Sequence, residues 1–217
     1  VQKMTAPDPR SGDILLRVDT LSSLKRLGTA VAISAALGLA FGVALGAIPL
    51  FAAGFSSFVA SISLVPPMAI LPILFICLGL GETAKIVLIV IGIAPVIARD
   101  LQGRVREIPR ELLIKAQTLG ASSWRVVLRV VLPLVMPRLI EAVRLSLGAA
   151  WLFLIAAEAI ASTDGLGYRI FLVRRYLAMD IILPYVLWIT VLAYVTDRVL
   201  AWGGRLAFPW HYRGAGA

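Results

Sequence analysis

The sequence predicts an all-α protein that crosses a membrane several times, and three observations carry that expectation. First, 60% of the 217 residues are hydrophobic and 15% charged, where soluble domains run at about 45–50% and about 25%; mean hydropathy is +0.93. Second, no Asp, Glu, Lys or Arg occurs between Arg26 and Glu82. One span needs about 20 apolar residues and a buried core helix of a soluble protein only about 10–14, so this stretch holds about two spans with a turn between them. Third, many basic residues gather in one loop between apolar runs, as the positive-inside rule predicts for a cytoplasmic loop. The net charge of +9 and pI of 10.4 therefore do not argue for nucleic acid. Cys77 and His211 are the only cysteine and histidine, which excludes an intrachain disulfide, Cys- or His-pair metal ligation and most triad chemistry.

Residues 1–13 are polar, with Pro7, Pro9 and Gly12, and read as loop. From Ile14 the apolar positions Ile14, Val18, Leu21 and Leu24 recur at helical spacing, with Ser11 or Asp13 as N-cap. Residues 1–26 are thus an external loop and an amphipathic lead-in to a first span at about 27–48. Gly38, Gly42 and Gly46 form a row in that span that either admits a neighbouring helix closely or is simply tolerated in lipid. Pro49, Gly54, Ser56 and Ser57 mark a turn, and a second span at about 58–80 is interrupted by Pro66-Pro67 and Pro72. Proline frees backbone carbonyls, which in lipid need protein partners, so this helix is expected inside, lining a path or an interface. Gly79–Glu82 is a short turn. A third span at about 84–98 contains Pro95, a fourth follows at about 138–160, and a loop with Asp164, Gly165 and Gly167 leads to a short helix carrying Arg169, Arg174 and Arg175. The last span is about 181–203; the basic, aromatic tail with Phe208, Trp210, His211 and Tyr212 suits the interface belt.

The polar segment 99–138 carries Arg99, Arg104, Arg106, Arg110, Lys115, Arg125, Arg129 and Arg138. Placing it inside puts 49–57 and the C-terminus inside as well, with 1–25 and 162–180 outside. Within it, residues 110–137 read as two short amphipathic helices joined at Gly120. Leu112, Leu113, Ala116 and Leu119 form one face, Gly120 supplies the left-handed stop, Ser122 or Ser123 caps the second helix, and Pro133 and Pro137 limit it. Such a segment either anchors at the membrane surface or docks into a groove on a soluble partner.

This segment resembles the EAA loop of ABC importer permeases, which runs roughly E-A-A, Gly three residues on, and Leu-Pro thirteen residues after that Gly. Gly120 and Leu132-Pro133 stand at the family spacing and Ala116 fills the last place of the triplet, but Ile114 and Lys115 occupy the first two, so the naming Glu is absent. VPPMAILPILFICLGLGETAKI (65–86), AAEAIASTDGLGY (156–168) and FPWHY (208–212) are similar to stretches of the nitrate/sulfonate/taurine/bicarbonate subgroup, so the resemblance covers roughly 27–212, with 213–217 a tail.

The resemblance implies a type I importer transmembrane domain, with about five helices present and the first family helix missing. It implies a multi-pass permease of the bacterial cytoplasmic (inner) membrane. Two copies pair, cytoplasmic ABC ATPases dock on each loop, and a periplasmic or lipid-anchored binding protein delivers a small solute such as a sulfonate, nitrate or bicarbonate. ATP and Mg then belong to the partner ATPase, and no cofactor or metal to this chain. The ATPase-coupling residues it points to are Ile114, Lys115, Ala116, Gln117, Thr118, Leu119, Gly120, Ala121, Ser122, Trp124 and Arg125.

Pro66, Pro67, Met68 and Glu158 are candidates for the translocation path or a gate, Glu158 because an intramembrane carboxylate is a functional candidate by default. Glu141 and Arg144, three apart, are expected to pair, and Asp197 to pair with Arg198 or snorkel. Two other classes compete: a channel whose basic loop is only an anchor, and a membrane-embedded enzyme. The second finds no nucleophile–base pair or ligand cluster, and no GxxxxGK[ST] occurs to give this chain an ATPase.

Overall fold

The lead-in and the first span form one unbroken 33-residue helix, α1 (Leu15–Ala47). The computed structural model describes residues 14–213; the loop expected at 1–13, its candidate caps Ser11 and Asp13, and the tail beyond 213 lie outside the described residues. The buried face of the lead-in is the opposite of the expected one. Val18 and Leu21 are exposed, whereas Asp19, Ser23 and Arg26 are buried. These three recur at i, i+4 and i+7, so one helix face carries them all. Their partners, described below, make burial of this polar face possible.

The turn expected at 49–57 is instead a helix, α2 (Pro49–Ile62), because Pro49 sits in its first turn, where a missing N–H costs nothing. The second span breaks where the sequence places Pro66-Pro67: α2 ends at Ile62 and α3 (Pro67–Leu78) starts afresh. The residue before a proline is pushed out of the helical region, so neither helix can run through. Pro72 does not interrupt α3, which stops at Gly79 with φ +77°. Helix α4 (Glu82–Arg106) continues through Pro95 and past the expected end at Arg99.

After α5 (Arg110–Thr118) and the single turn α6 (Ser123–Val126), a π-helical turn at Val127–Val131 runs directly into α7 (Leu132–Ala161). Pro133 and Pro137 therefore do not end the second loop helix. A proline ring clashes with the carbonyl four residues back; for Pro133 that is Arg129, inside the widened turn, which leaves room for the ring. The short helix α8 (Leu166–Arg174) precedes α9 (Met179–Ala207) and α10 (Pro209–Arg213).

By length and composition α1 and α9 can each cross a bilayer, and the broken pair α2/α3 makes a third candidate span. Helices α4 and α7 are long as well, but they carry Glu82, Lys85 and Arg99 in one and Arg138, Glu141, Arg144 and Glu158 in the other. The chain divides into two compact units. The first takes α1 through Ala32, Pro66–Gly92 and Leu147–Thr196; the second takes Ile33–Val65, Ile93–Ser146 and the chain from Asp197.

In the first unit Leu71 and Leu74 of α3 pack with Ala84 and Leu88 of α4 and Ala157 of α7. In the second, the glycine row of α1 meets α4 at close range. A Cβ on Gly38 would lie 2.5 Å from Ile97, and on Gly42 2.6 Å from Leu101 and 2.9 Å from the Ala98 carbonyl, while on Gly46 it would strike Val105. The row is thus a helix contact and not idle tolerance.

Gly42→Ala should lower the melting temperature of the detergent-solubilised protein, since overpacking costs about 1–3 kcal/mol. Gly28→Ala should not, because nothing lies within 4 Å of the added carbon. Equal melting shifts for the two variants would contradict the close approach of α1 and α4.

Candidate functional site

Two features stand apart from ordinary packing: the exposed helix–Gly–helix of the second unit and a buried polar cluster in the first. In α5 no side chain is buried; Leu113 and Ala116 are half-covered, while Ile114, Lys115, Gln117 and Thr118 face outward. Gly120 has φ +83°, a left-handed conformation that ends α5; its N–H donates to the Gln117 carbonyl and that of Ala121 to the Ala116 carbonyl. Ser122 then caps α6, its Oγ accepting from the Arg125 amide at 3.4 Å. Leu119, 88% exposed, and Trp124, 67% exposed, flank the glycine. The expected helix–Gly–helix and its cap are thus as the spacing predicts, and apolar side chains stand out on both sides of the turn.

The polar cluster centres on Arg26. Its Nε donates to Glu82 Oε2; Nη2 donates to Glu82 Oε1 at 2.8 Å and to Asp164 Oδ1; Nη1 donates to Glu158 Oε1 at 2.8 Å and to the Asp164 carbonyl at 3.0 Å. A guanidinium has five N–H donors, and all five are used. Glu158 is 0% exposed, yet Ser23 Oγ donates to it at 2.8 Å and the Gly167 amide at 2.9 Å in addition to Arg26. Lys85, also buried, binds Glu82 and Ser162.

The start of α8 is folded into the same cluster. Successive amides of Gly165, Leu166 and Gly167 donate to Asp19 Oδ1, Ser23 Oγ and Glu158 Oε2 at 2.9–3.0 Å. Such N-terminal amides carry the positive end of the helix dipole. That matters because, among the described residues, Asp19, Glu82, Glu158 and Asp164 are ion-paired by Arg26, Lys85 and Arg169, four carboxylates against three cations. Asp19 is further held by Arg169 at 2.8 Å, and Tyr185 donates to it at 3.4 Å. The glycines are needed for the approach. Gly165 has φ +114° and a Cβ there would sit 2.6 Å from the Glu158 carboxyl; at Gly167 it would strike the Ile155 carbonyl.

At the rim, Glu82 is held below the usual carboxylate range by the hydrogen bond from Arg26, helped by Lys85, against the opposing effect of partial burial. For Asp164 partial burial works upward, and the hydrogen bonds from Arg26 and Ser22 more than offset it, so its carboxyl also stays low.

Among the path candidates Pro66 and Met68 are exposed and Pro67 is half-buried; a Cβ on Gly92 would touch Phe153 and lie 3.2 Å from Pro67. Glu158, by contrast, opens to no surface of the chain. The expected Glu141–Arg144 pair does not form. Arg144 donates to both Asp197 oxygens at 2.8 and 2.9 Å, and Glu141 takes Arg138 at 2.9 Å and His211 at 3.3 Å. Arg144 finds a bidentate partner on α9, which fixes a guanidinium better than a neighbour on its own helix. Sequence reading missed Asp19, Ser23, Arg26 and Lys85, and took Glu82 and Asp164 only as parts of turns. The i, i+4, i+7 spacing of Asp19, Ser23 and Arg26 was the available signal.

The fold is that of a type I ABC importer transmembrane chain. It matches a chain of the inward-facing MetNI methionine ABC transporter with TM-score 0.76 over 88% of this chain and 95% of that one, at 23% identity. The chain belongs to the family of binding-protein-dependent transport system inner membrane components, whose pattern it matches over residues 28–205. It is 33% identical to the taurine transport system permease protein TauC of Escherichia coli over 88% of this chain and 69% of that protein. It is 28% identical to the bicarbonate transport system permease protein CmpB of Synechococcus elongatus, over 84% of this chain and 66% of that protein. A putative aliphatic sulfonates permease, SsuC of Escherichia coli, is 31% identical over 68% of this chain and 56% of its own length. The chain is thus a permease subunit of an ABC importer and not an enzyme.

Replacing Arg26 by Met leaves Glu158 a buried charge without its ion-pair partner, a loss of about 3–5 kcal/mol; thermal melts of solubilised protein should show a much larger drop than for Lys25→Met, which changes an exposed cation. Because the folded-state pKa of Asp164 is lowered, its contribution is complete above the unfolded value of ~3.9 and is lost as pH falls from there through the folded value. Melts between neutral and strongly acid pH should therefore fall less steeply for Asp164→Asn than for the wild type. Parallel curves would remove Asp164 from the cluster's energetics.

Proposed function

We propose that this permease forms, with a second copy of itself, the alternating-access path of an ATP-driven importer in the bacterial cytoplasmic membrane. The observation that carries the coupling role is the segment α5–Gly120–α6. It holds a defined left-handed turn, yet presents Ile114, Leu119 and Trp124 to solvent instead of burying them. A groove on a cytoplasmic ATPase subunit would cover this apolar surface. ATP and magnesium are bound by that subunit, and the chain itself carries out no covalent step.

Closure of two ATPases moves the docked segments as levers and switches the spans between inward- and outward-open states. An external binding protein supplies the solute. The taurine, sulfonate and bicarbonate relatives favour a small anion or sulfonate as cargo. Pro66, Pro67 and Met68, at the break between α2 and α3, are the residues we assign to the path. Glu158 is assigned a bracing role instead, since its buried carboxylate is held within the chain by Ser23, Arg26 and Gly167.

Gly120→Leu puts a side chain where none is blocked by neighbours, so its effect is on the backbone: a left-handed non-glycine residue costs about 1–2 kcal/mol. The turn should reshape, and the ATPase should no longer co-purify at stoichiometry or respond to loaded binding protein. Retention of both stimulated ATPase activity and uptake in proteoliposomes would refute the coupling role. A segment that instead binds anionic vesicles and no ATPase would be a surface anchor.

A further inference from the structure

The ties around Arg26 connect one short loop to three helices of the first unit. The loop Ser162–Gly167 reaches α1 through Ser22, which donates to Asp164 at 2.8 Å, and through the Asp19 and Ser23 acceptors of the Gly165 and Leu166 amides. It reaches α4 through Lys85, which donates to Ser162 at 2.9 Å, and α7 through Glu158, which accepts from the Gly167 amide. Ser162 also closes on the Asp164 carbonyl at 2.6 Å. Arg26, 5% exposed, sits where these ties cross, with Glu82, Glu158 and both the side chain and the carbonyl of Asp164 on its five donors. Swinging the loop away would strip the guanidinium of two acceptors. It would also take the Gly167 amide from a carboxylate that no water reaches. A hinged flap would carry fewer such bonds, because each one must break at every cycle.

We infer that Arg26 is a positioning residue for transport. It clamps the Ser162–Gly167 loop to α1, α4 and α7 through the whole cycle, so the loop moves only as part of that body. This rests on the transport reading given above. The fork geometry of the guanidinium is essential to it, since a lysine ammonium has three donors and no planar face to span Glu82, Glu158 and Asp164 together.

The test uses the complete transporter in proteoliposomes, with Cys77→Ser and spin labels on cysteines replacing the exposed Lys25 and Thr163, labelled protomers being diluted with unlabelled ones. Pulsed electron paramagnetic resonance should give one narrow distance that does not shift between the nucleotide-free and ATP-trapped states. Arg26→Lys should broaden that distribution and lose most of the binding-protein-stimulated uptake, despite keeping the charge. A distance that shifts between states in a labelled transporter that still takes up substrate would overturn the clamp. So would an Arg26→Lys variant with wild-type uptake and an unbroadened distance. If Arg26→Lys does not assemble, the comparison of the two states with Arg26 in place decides alone. Absence of any ATP-dependent uptake from the unlabelled wild type would sink the transport reading itself, and the inference with it.

Discussion

A buried charge must find partners inside the protein, and in the first unit of this permease that requirement falls on Arg26. Removing a guanidinium or a carboxylate from water costs several kcal/mol per ion even after relaxation. Here the cost is offset because every donor of Arg26 has an acceptor and the fully buried Glu158 accepts from Ser23, Arg26 and Gly167. Once that arrangement is set, much else follows. Helix α1 must turn its polar face inward, Gly165 must adopt φ +114°, and α8 must begin where its first amides meet Asp19, Ser23 and Glu158. Among the described residues, the four carboxylates face three cations, and the α8 amides add positive potential.

The second unit is held together differently. Close backbone approach of α1 and α4, permitted by Gly38, Gly42 and Gly46, works there beside the bidentate Arg144–Asp197 pair. In lipid no hydrophobic driving force separates helix from solvent, so van der Waals contact at small residues becomes the main source of association. The same unit carries α5, which has no buried residue of its own. A packed base carrying a helix with no buried residue fits the role proposed for that segment.

Much of the segment proposed for coupling was legible in the chain. The helix–Gly–helix, the cap at Ser122 and the left-handed Gly120 all follow from local rules about which residues tolerate which backbone. The polar cluster was far less legible, because the Arg26 partners lie 56, 132 and 138 residues away. Asp19, Ser23 and Arg26 looked like the wet side of an amphipathic lead-in. Without knowledge of what packs on them, their regular spacing reads equally well as a solvated face. Arg144 gives the same lesson on a smaller scale: a nearby Glu141 suggested a local pair, and the better geometry lay across to Asp197.

By itself the sequence determined that this chain is helical and lives in a membrane. Fifty-five residues from Leu27 to Gly81 without a single charge leave hydrocarbon as the only solvent that suits them, and a lone chain segment in hydrocarbon must satisfy its backbone as helix. It also placed the break at Pro66-Pro67, since a missing N–H and a ring are local facts. Only the tertiary structure decided which face of α1 is buried, that the second loop helix continues through a π turn into α7, and that Glu158 is locked in place by Arg26. Those outcomes depend on pairings between residues far apart in the chain, and whether a charge is stabilised or merely tolerated is fixed by the partner and not by the residue.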